Sequence, residues 1–197
     1  MYEKKNVSKI YSLPKKVVFC KKCVISNQRP RIVFDKNGVC TACNYFEYKA
    51  KINWKERENE LLKLLEKYRS NDSNYDCVVP SSGGKDSAYV AHELKTKYGM
   101  NPLSVTWSPL KYTNIGLKNL NAYNDSGFDI VMGMPRGDIK RKMCREALIE
   151  MGDPFQGFIY GQVLFPITVA LNYGIRLIFR GENAEAEYGG SRESWDK

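Results

Sequence analysis

The sequence predicts an α/β fold, a parallel sheet with helices on both faces, preceded by a small four-cysteine module. Three observations carry that expectation. After residue 75, short apolar runs alternate with longer stretches of helical periodicity, and strands alternating with helices close into a parallel sheet covered on both sides. The first apolar run passes through a serine–glycine turn straight into a helix start. Two Cys-x-x-Cys pairs stand ahead of all this. The expected boundaries are a basic arm over 1–18, the cysteine module over 19–50, a connecting helix and linker over 51–74, and the α/β domain over 75–197.

Composition narrows the class. With 197 residues, 43% hydrophobic and 27% charged, the chain can bury a real core and reads as an ordinary soluble globular protein. Residues 1–16 contain no apolar run of the kind a secretory signal needs. The most apolar stretch, 155–179, is interrupted by Gln156, Gln162, Pro166, Asn172 and Arg176, so it reads as a buried helix and strand rather than a membrane span. The expected location is cytoplasmic, with no membrane partner. Residues 1–70 hold 17 Lys and Arg against 7 Asp and Glu, and the rest hold 14 against 15. The basic excess therefore belongs to the N-terminal region. Nucleic acid could act only through that region, and a solvated lysine-rich surface explains the charge equally well.

In chain order, 1–18 is polar and lysine-rich and reads as an extended arm. Cys20, Cys23, Cys40 and Cys43 follow as C-x₂-C-x₁₆-C-x₂-C, a spacing suited to a tetrahedral metal site. Four thiolates suit structural Zn²⁺, because a closed Cys₄ shell leaves no position for catalysis. Between the pairs, 31–35 and 38–39 read as a hairpin turning at Asp35-Lys36-Asn37-Gly38. So short a module would take its folding energy from the metal. Asn53 and Glu56 form a capping box for a helix through Arg69, with Trp54, Leu61, Leu62, Leu65 and Tyr68 as its apolar stripe.

Strands are then expected at 76–80, 103–107, 128–132 and 175–179. Helices are expected from Ala88, straight after the turn, to about Tyr98, and over 114–125, 136–151 and 155–173. Gly99, Gly127 and Gly152 read as helix stops. The turn between the first strand and its helix is Ser82-Gly83-Gly84-Lys85-Asp86-Ser87. Glycines let the chain turn sharply and let a ligand approach the backbone. The unpaired amides and dipole of the helix start favour an anion. Ser82 and Ser87 can add hydrogen bonds, Lys85 charge, and Asp86 a ligand for Mg²⁺. The spacing matches neither G-x-x-x-x-G-K-[ST] nor G-x-G-x-x-G. In open α/β sheets, ligands sit beyond the carboxyl ends of the strands where strand order switches. By that rule the turn, Trp107 and the acidic segment after Phe179 should converge.

The Ser82–Ser87 string resembles the S-G-G-x-D-S loop of the PP-loop ATP pyrophosphatases, of the adenine nucleotide alpha hydrolase-like fold. The cysteine pairs, this loop, and Gly181-Glu182-Asn183 with Glu187-Tyr188-Gly189-Gly190 together look like the N-acetyl sugar amidotransferase family. Enzymes of that family serve bacterial lipopolysaccharide O-antigen and flagellin pseudaminic-acid-type sugar synthesis. The resemblance covers about 18–197. It implies ATP, Mg²⁺ and structural Zn²⁺ as cofactors, an N-acetylated sugar as substrate, and a separate glutaminase subunit as ammonia source. It further implies that Ser82, Gly83, Gly84, Asp86 and Ser87 hold pyrophosphate and metal, and that Lys85 neutralises developing charge. Gly181, Glu182 and Asn183 border the nucleotide, and Glu187 positions substrate or metal. Trp107 is expected against the adenine, with a core tryptophan as the ordinary alternative. Family members continue beyond the residues present here, so the resemblance implies that a fifth strand and a sugar-specific region would follow, and that the chain, if truncated, is inactive alone.

Cys77 and Cys144 read as core thiols, and His92 has no evident catalytic partner. Two rival readings remain. A tRNA-thiolating PP-loop enzyme would use the basic N-terminal region, but the α/β domain has no cysteine cluster to carry sulfur. A zinc-ribbon adaptor with a degenerate nucleotide fold would not bind ATP, which an intact Ser82–Ser87 loop opposes.

Overall fold

A computed structural model describes residues 6–10, 12–183, 189–190 and 195. The chain divides into two units, Met1–Glu56 with Asn183–Lys197, and Arg57–Glu182.

In the first unit, α1 (Val7–Ile10) is a single turn where an extended arm was expected. Asn6 caps it, its side chain accepting from the Lys9 amide at 3.0 Å. The first cysteine pair lies in a tight turn in which the Cys20 amide donates to the Ile25 carbonyl at 2.9 Å. The expected hairpin turn is present, closed by an antiparallel bridge between Phe34 and Cys40. Its Asp35 carboxylate accepts from the amides of Asn37 and Val39 at 2.8 and 3.0 Å, and Gly38 takes the left-handed conformation the turn requires (φ +78°). α2 (Thr41–Lys49) starts directly after Cys40. Trp195 lies across Tyr45 and Tyr48 of this helix, with ring centroids 5.1 and 5.6 Å away. The small core is Cys20, Ile32 and Cys40.

α3 (Trp54–Tyr68) begins as the capping box predicts, with the Glu56 amide donating to the Asn53 side chain at 3.3 Å. Within the second unit, Leu61 and Leu65 are the part of its stripe that packs into the core. Trp54 and Leu62 stay exposed, since Leu61 and Leu65 are one helical turn apart and face one way while Leu62 is rotated off that face.

The second unit is built on β1 (Cys77–Pro80), α4 (Lys85–Thr96), β2 (Pro102–Trp107), α5 (Asn114–Asp125), β3 (Ile130–Gly133), α6 (Gly137–Met151) and α7 (Gln156–Asn172). The strands are parallel in the order β1-β2-β3, with Val79 opposite Ser104 and Val105 opposite Val131. The expected fourth strand is reduced to one parallel bridge on the other edge of β1, between Val78 and Ile178. The Val78 amide donates to Leu177 and its carbonyl accepts from Phe179, both at 2.9 Å. The next donor due on that edge is Pro80, which has no N–H, so the ladder ends there.

Pleating sends alternate side chains to opposite faces. Cys77 and Val79 meet Leu65 of α3, Ala91 and Leu94 of α4 and Tyr123 of α5. Val78, Leu103 and Val105 meet Val169 and Ala170 of α7. Helices therefore cover both faces, as predicted. The polar residues on β2 are satisfied, the Ser104 hydroxyl pairing with Tyr123 at 2.6 Å and the Thr106 hydroxyl donating to the Ser81 carbonyl. α6 lies on α7, but Ile139, Met143 and Met151 of its apolar face stay two-fifths exposed or more. Among the described residues no helix is long and apolar enough to cross a membrane.

Leu65 is fully buried against β1 and α4. Leu65→Ala should lower unfolding free energy by about 2–5 kcal/mol, read from the urea midpoint. An unchanged midpoint would mean α3 adds nothing to this core.

Candidate functional site

The turn leaving β1 is held from below by one buried side chain. The Ser81 amide donates to the Val105 carbonyl at 2.9 Å, its hydroxyl lies 3.1 Å from that of Ser87, and the Gly83 amide reaches the same oxygen at 3.4 Å. Gly83 is left-handed (φ +76°), and a Cβ there would fall 2.9 Å from the backbone of Leu120 in α5. Both conditions demand glycine. Gly84 is the N-cap of α4, which puts Lys85 and Asp86 in the first helical turn, where the amides lack partners within the helix. Their side chains form an exposed ion pair at 2.5 Å.

A cavity of about 210 Å³ lies at the carboxyl ends of β1 and β2 and of the segment paired with β1. Ser82, Ser87, Trp107, Gly181 and Glu182 line it, five of the residues the sequence singled out. A Cβ on Gly181 would lie 2.9 Å from the Ser87 nitrogen and 3.0 Å from its Cα, so the chain after Arg180 is pressed onto the start of α4. The position is the switch in strand order, β1 being paired on both edges. Hydroxyls, a guanidinium and a carboxylate on one side, and Val105, Trp107 and Phe158 on the other, suit a ligand with an anionic part and an apolar part.

Gly83, Gly84, Lys85 and Asp86 form the turn and helix start but do not line this cavity. Asn183 belongs to the first unit, and Glu187 lies outside the described residues. Gly189, part of the string that carries the resemblance, is seated on α2, where a Cβ would fall 2.5 Å from the Tyr45 Cβ and 3.0 Å from the Ala42 Cα. Sequence reasoning gave no role to Ser81, Gln162 or Arg180. Gln162 was visible as a polar break in an apolar helix, and Arg180 as the first charge after an apolar run; both line the cavity.

The four cysteines of the first unit come together, with their sulfurs all within 4.8 Å of one another and those of Cys23 and Cys40 3.6 Å apart. Tetrahedral Zn–S bonds of about 2.3 Å place sulfurs at such separations, so the donor set could hold zinc. Burial pushes the Cys20 thiol up, but the amides of Lys22, Cys40 and Cys23 together outweigh it and bring it down to about 6. Burial raises both the Cys40 and Cys43 thiols, so a cation would be needed to hold these two as thiolates. Cys77 is different, a fully buried strand residue pushed up to about 12 by burial and then by Asp76, hence inert.

No family model matches the chain. It is similar to an uncharacterized protein of Methanocaldococcus jannaschii, 29% identical over 88 residues, which is 44% of this chain and 31% of that protein. The matched part thus spans about a third of that relative's length.

Two outcomes follow from this geometry. Gly181→Ala should displace the start of α4 and weaken binding of any anion held there by about tenfold or more, read by calorimetry with inorganic pyrophosphate; unchanged affinity would separate the turn from the cavity. Metal analysis should find zinc in the wild type and none in Cys40→Ser, since removing one of four thiolates opens the shell.

Proposed function

We propose that this chain carries the ATP-binding machinery of an amidotransferase acting on an N-acetyl sugar in bacterial surface-polysaccharide or flagellin glycan synthesis. The observation that carries the reading is the convergence of the serine–glycine turn, Trp107 and Arg180-Gly181-Glu182 on one cavity at the switch in strand order. A nucleotide whose bond breaks between the α- and β-phosphates needs a preformed anion site for the leaving pyrophosphate. A serine–glycine turn that opens into a helix start suits that need.

In this reaction the acetamido oxygen of the sugar attacks the α-phosphorus of ATP. The bond to the β-phosphate oxygen breaks, pyrophosphate leaves, and the amide nitrogen gives up its proton, yielding an O-adenylyl imidate. Ammonia adds to the imidate carbon and AMP departs with the C–O electrons, leaving an acetamidino group. An amide carbon is a poor electrophile, so activating its oxygen is the demanding step. Ser82, Ser87 and the amides around Gly83 and Gly84 hold the pyrophosphate, and Lys85 and Arg180 balance its charge. Gly181 and Glu182 border the nucleotide, and Trp107 flanks its base. Asp86, one exposed carboxylate in the first turn of α4, fits a cation that takes one protein ligand beside phosphates, so Mg²⁺ would bind there. When bound, Mg²⁺ supplies charge neutralisation on the phosphates.

Zinc held by Cys20, Cys23, Cys40 and Cys43 serves the fold of the first unit. Ammonia comes from a separate glutaminase subunit in the cytoplasm; Cys77 does not serve as its nucleophile, being buried with its thiol pushed up to about 12. The basic excess of 1–70 favours a tRNA-modifying enzyme as the second reading. That chemistry requires a sulfur carrier, and the second unit holds only Cys77 and Cys144, with no cluster.

With ATP, Mg²⁺, ammonium and a panel of N-acetyl sugars, the products should be AMP and pyrophosphate. Asp86→Ala should lower turnover by about 10²-fold or more at unchanged melting temperature, since an exposed ion pair contributes little to stability. ADP and orthophosphate as products would overturn the reading, as would full activity in the variant.

A further inference from the structure

A second cavity, of about 300 Å³, adjoins the first and shares two walls with it, Trp107 and Phe158. The position of Trp107 is fixed by bare backbone. A Cβ at Gly161 would fall 2.0 Å from the indole ring, and one at Gly133 would fall 2.7 Å from it. Phe165 holds it from the same helix as Gly161, with ring centroids 5.3 Å apart. The indole is thus a partition set between two glycines.

The chemistry changes across that partition. The first cavity carries hydroxyls and charges. The second is lined by Leu110, Ile139, Met143 and Phe155, and its only ionisable side chains are Lys140 and Cys144. The Lys140 ammonium is already engaged, donating to the carbonyls of Ser108 and Pro109 at 2.8 and 2.9 Å. A sugar ring placed here would strand its hydroxyls, and a nucleobase would strand its nitrogen and oxygen edge, because those two carbonyls already have a donor. An apolar ring would lose nothing and would gain by leaving water. The exposed apolar face of α6 supplies this wall through Ile139 and Met143.

We infer that the second cavity receives a ring-sized apolar group carried by the acceptor, so that the acceptor is an amphipathic N-acetylated glycoside and not a bare sugar. The inference rests on the first cavity being the site of ATP cleavage. A group anchored beyond the Trp107 partition keeps the acetamido oxygen beside the phosphates, and the two cavities together bind a molecule with one polar and one apolar end. Cys144, one turn along α6 from Lys140, marks the occupied space with a thiol that can be titrated chemically.

The probes are the phenyl and methyl β-glycosides of N-acetylglucosamine and of N-acetylgalactosamine, titrated calorimetrically into the full chain without ATP. The phenyl glycoside of at least one sugar should bind about tenfold or more tighter than its methyl counterpart. It should also slow alkylation of Cys144 by N-ethylmaleimide. Cys144→Phe, which fills the cavity, should erase the phenyl advantage while leaving the melting temperature in place. If that variant does not fold, Leu110→Trp, at a half-exposed position on the wall, makes the same test. Equal binding of phenyl and methyl glycosides overturns the inference. So does no binding by any of them, or a phenyl preference that survives filling. Protection of Cys144 by ATP and not by the phenyl glycoside would also overturn it and assign the cavity to the base. Binding of α,β-methylene-ATP is measured separately: its absence refutes the phosphate reading, whereas its presence with no phenyl preference refutes only the acceptor inference.

Discussion

Strand β1 is hydrogen-bonded along both edges, to β2 on one side and to the segment around Ile178 on the other, and the arrangement of the second unit follows from that. Two chains leave the sheet at nearly the same level, one from β1 into the serine–glycine turn and one from Phe179 into Arg180-Gly181-Glu182. Pro80 ends the ladder between them because it has no N–H to give. They diverge from a common point and come together again at Gly181 and Ser87, where there is no room for a side chain. The cavity is the space enclosed by this divergence, which is the physical content of the rule that ligands sit where strand order switches.

A turn of this kind must hold its shape before any anion arrives, since free amides that point at a ligand cannot also satisfy one another. Ser81 does that work from inside. Its amide and carbonyl are tied to β2, and its hydroxyl meets both Gly83 and Ser87. Ser82 and Ser87 line the cavity, and the Ser87 hydroxyl also donates to the Gly84 carbonyl at 3.2 Å. The two glycines have unequal parts. Gly83 is fixed by a left-handed backbone and by contact with α5, whereas Gly84 meets nothing closer than the Ser82 hydroxyl at 3.3 Å.

Much of this was legible in the sequence because periodicity and turn chemistry are local signals. Each helix of the second unit falls within two or three residues of its expected place, and Gly99, Gly127 and Gly152 take the left-handed conformation expected of helix stops. Five cavity residues were named beforehand: Ser82 and Ser87 from the turn, Trp107 from its place at a strand end, and Gly181 and Glu182 from the segment after the fourth apolar run together with the resemblance. What escaped depends on distant partners. The fourth strand looked as good as the others by composition, yet its pairing was limited by a proline in a different strand. Trp54 and Leu62 matched a helical stripe, but only tertiary packing decides which part of a stripe is covered. Ser81 reads like any turn serine until the Thr106 hydroxyl is found donating to its carbonyl. α2 gave no usable sign, because its first turn is taken up by cysteines whose spacing suggested only a metal.

The first unit answers to a different constraint. Among its described residues the core cluster is Cys20, Ile32 and Cys40, with Tyr45 of α2 also buried, too little apolar area to offset the entropy of ordering some forty residues at about 1–2 kcal/mol each for the backbone alone. Cys20 and Cys40 are thiols of the four-sulfur cluster. As thiolates, four sulfurs this close would repel one another, and as buried thiols they would contribute only as small apolar groups. A divalent cation resolves both difficulties at once, cancelling the charge and tying the turn at Cys20–Cys23 to the start of α2. The short backbone bonds around Cys20 prepare that outcome, since amides of Lys22 and Cys40 already donate to its sulfur at 3.3 and 3.2 Å, and such donors stabilise the thiolate that a metal requires. Coordination would thus supply the order of this unit, whereas the second unit is held by apolar burial on both faces of its sheet.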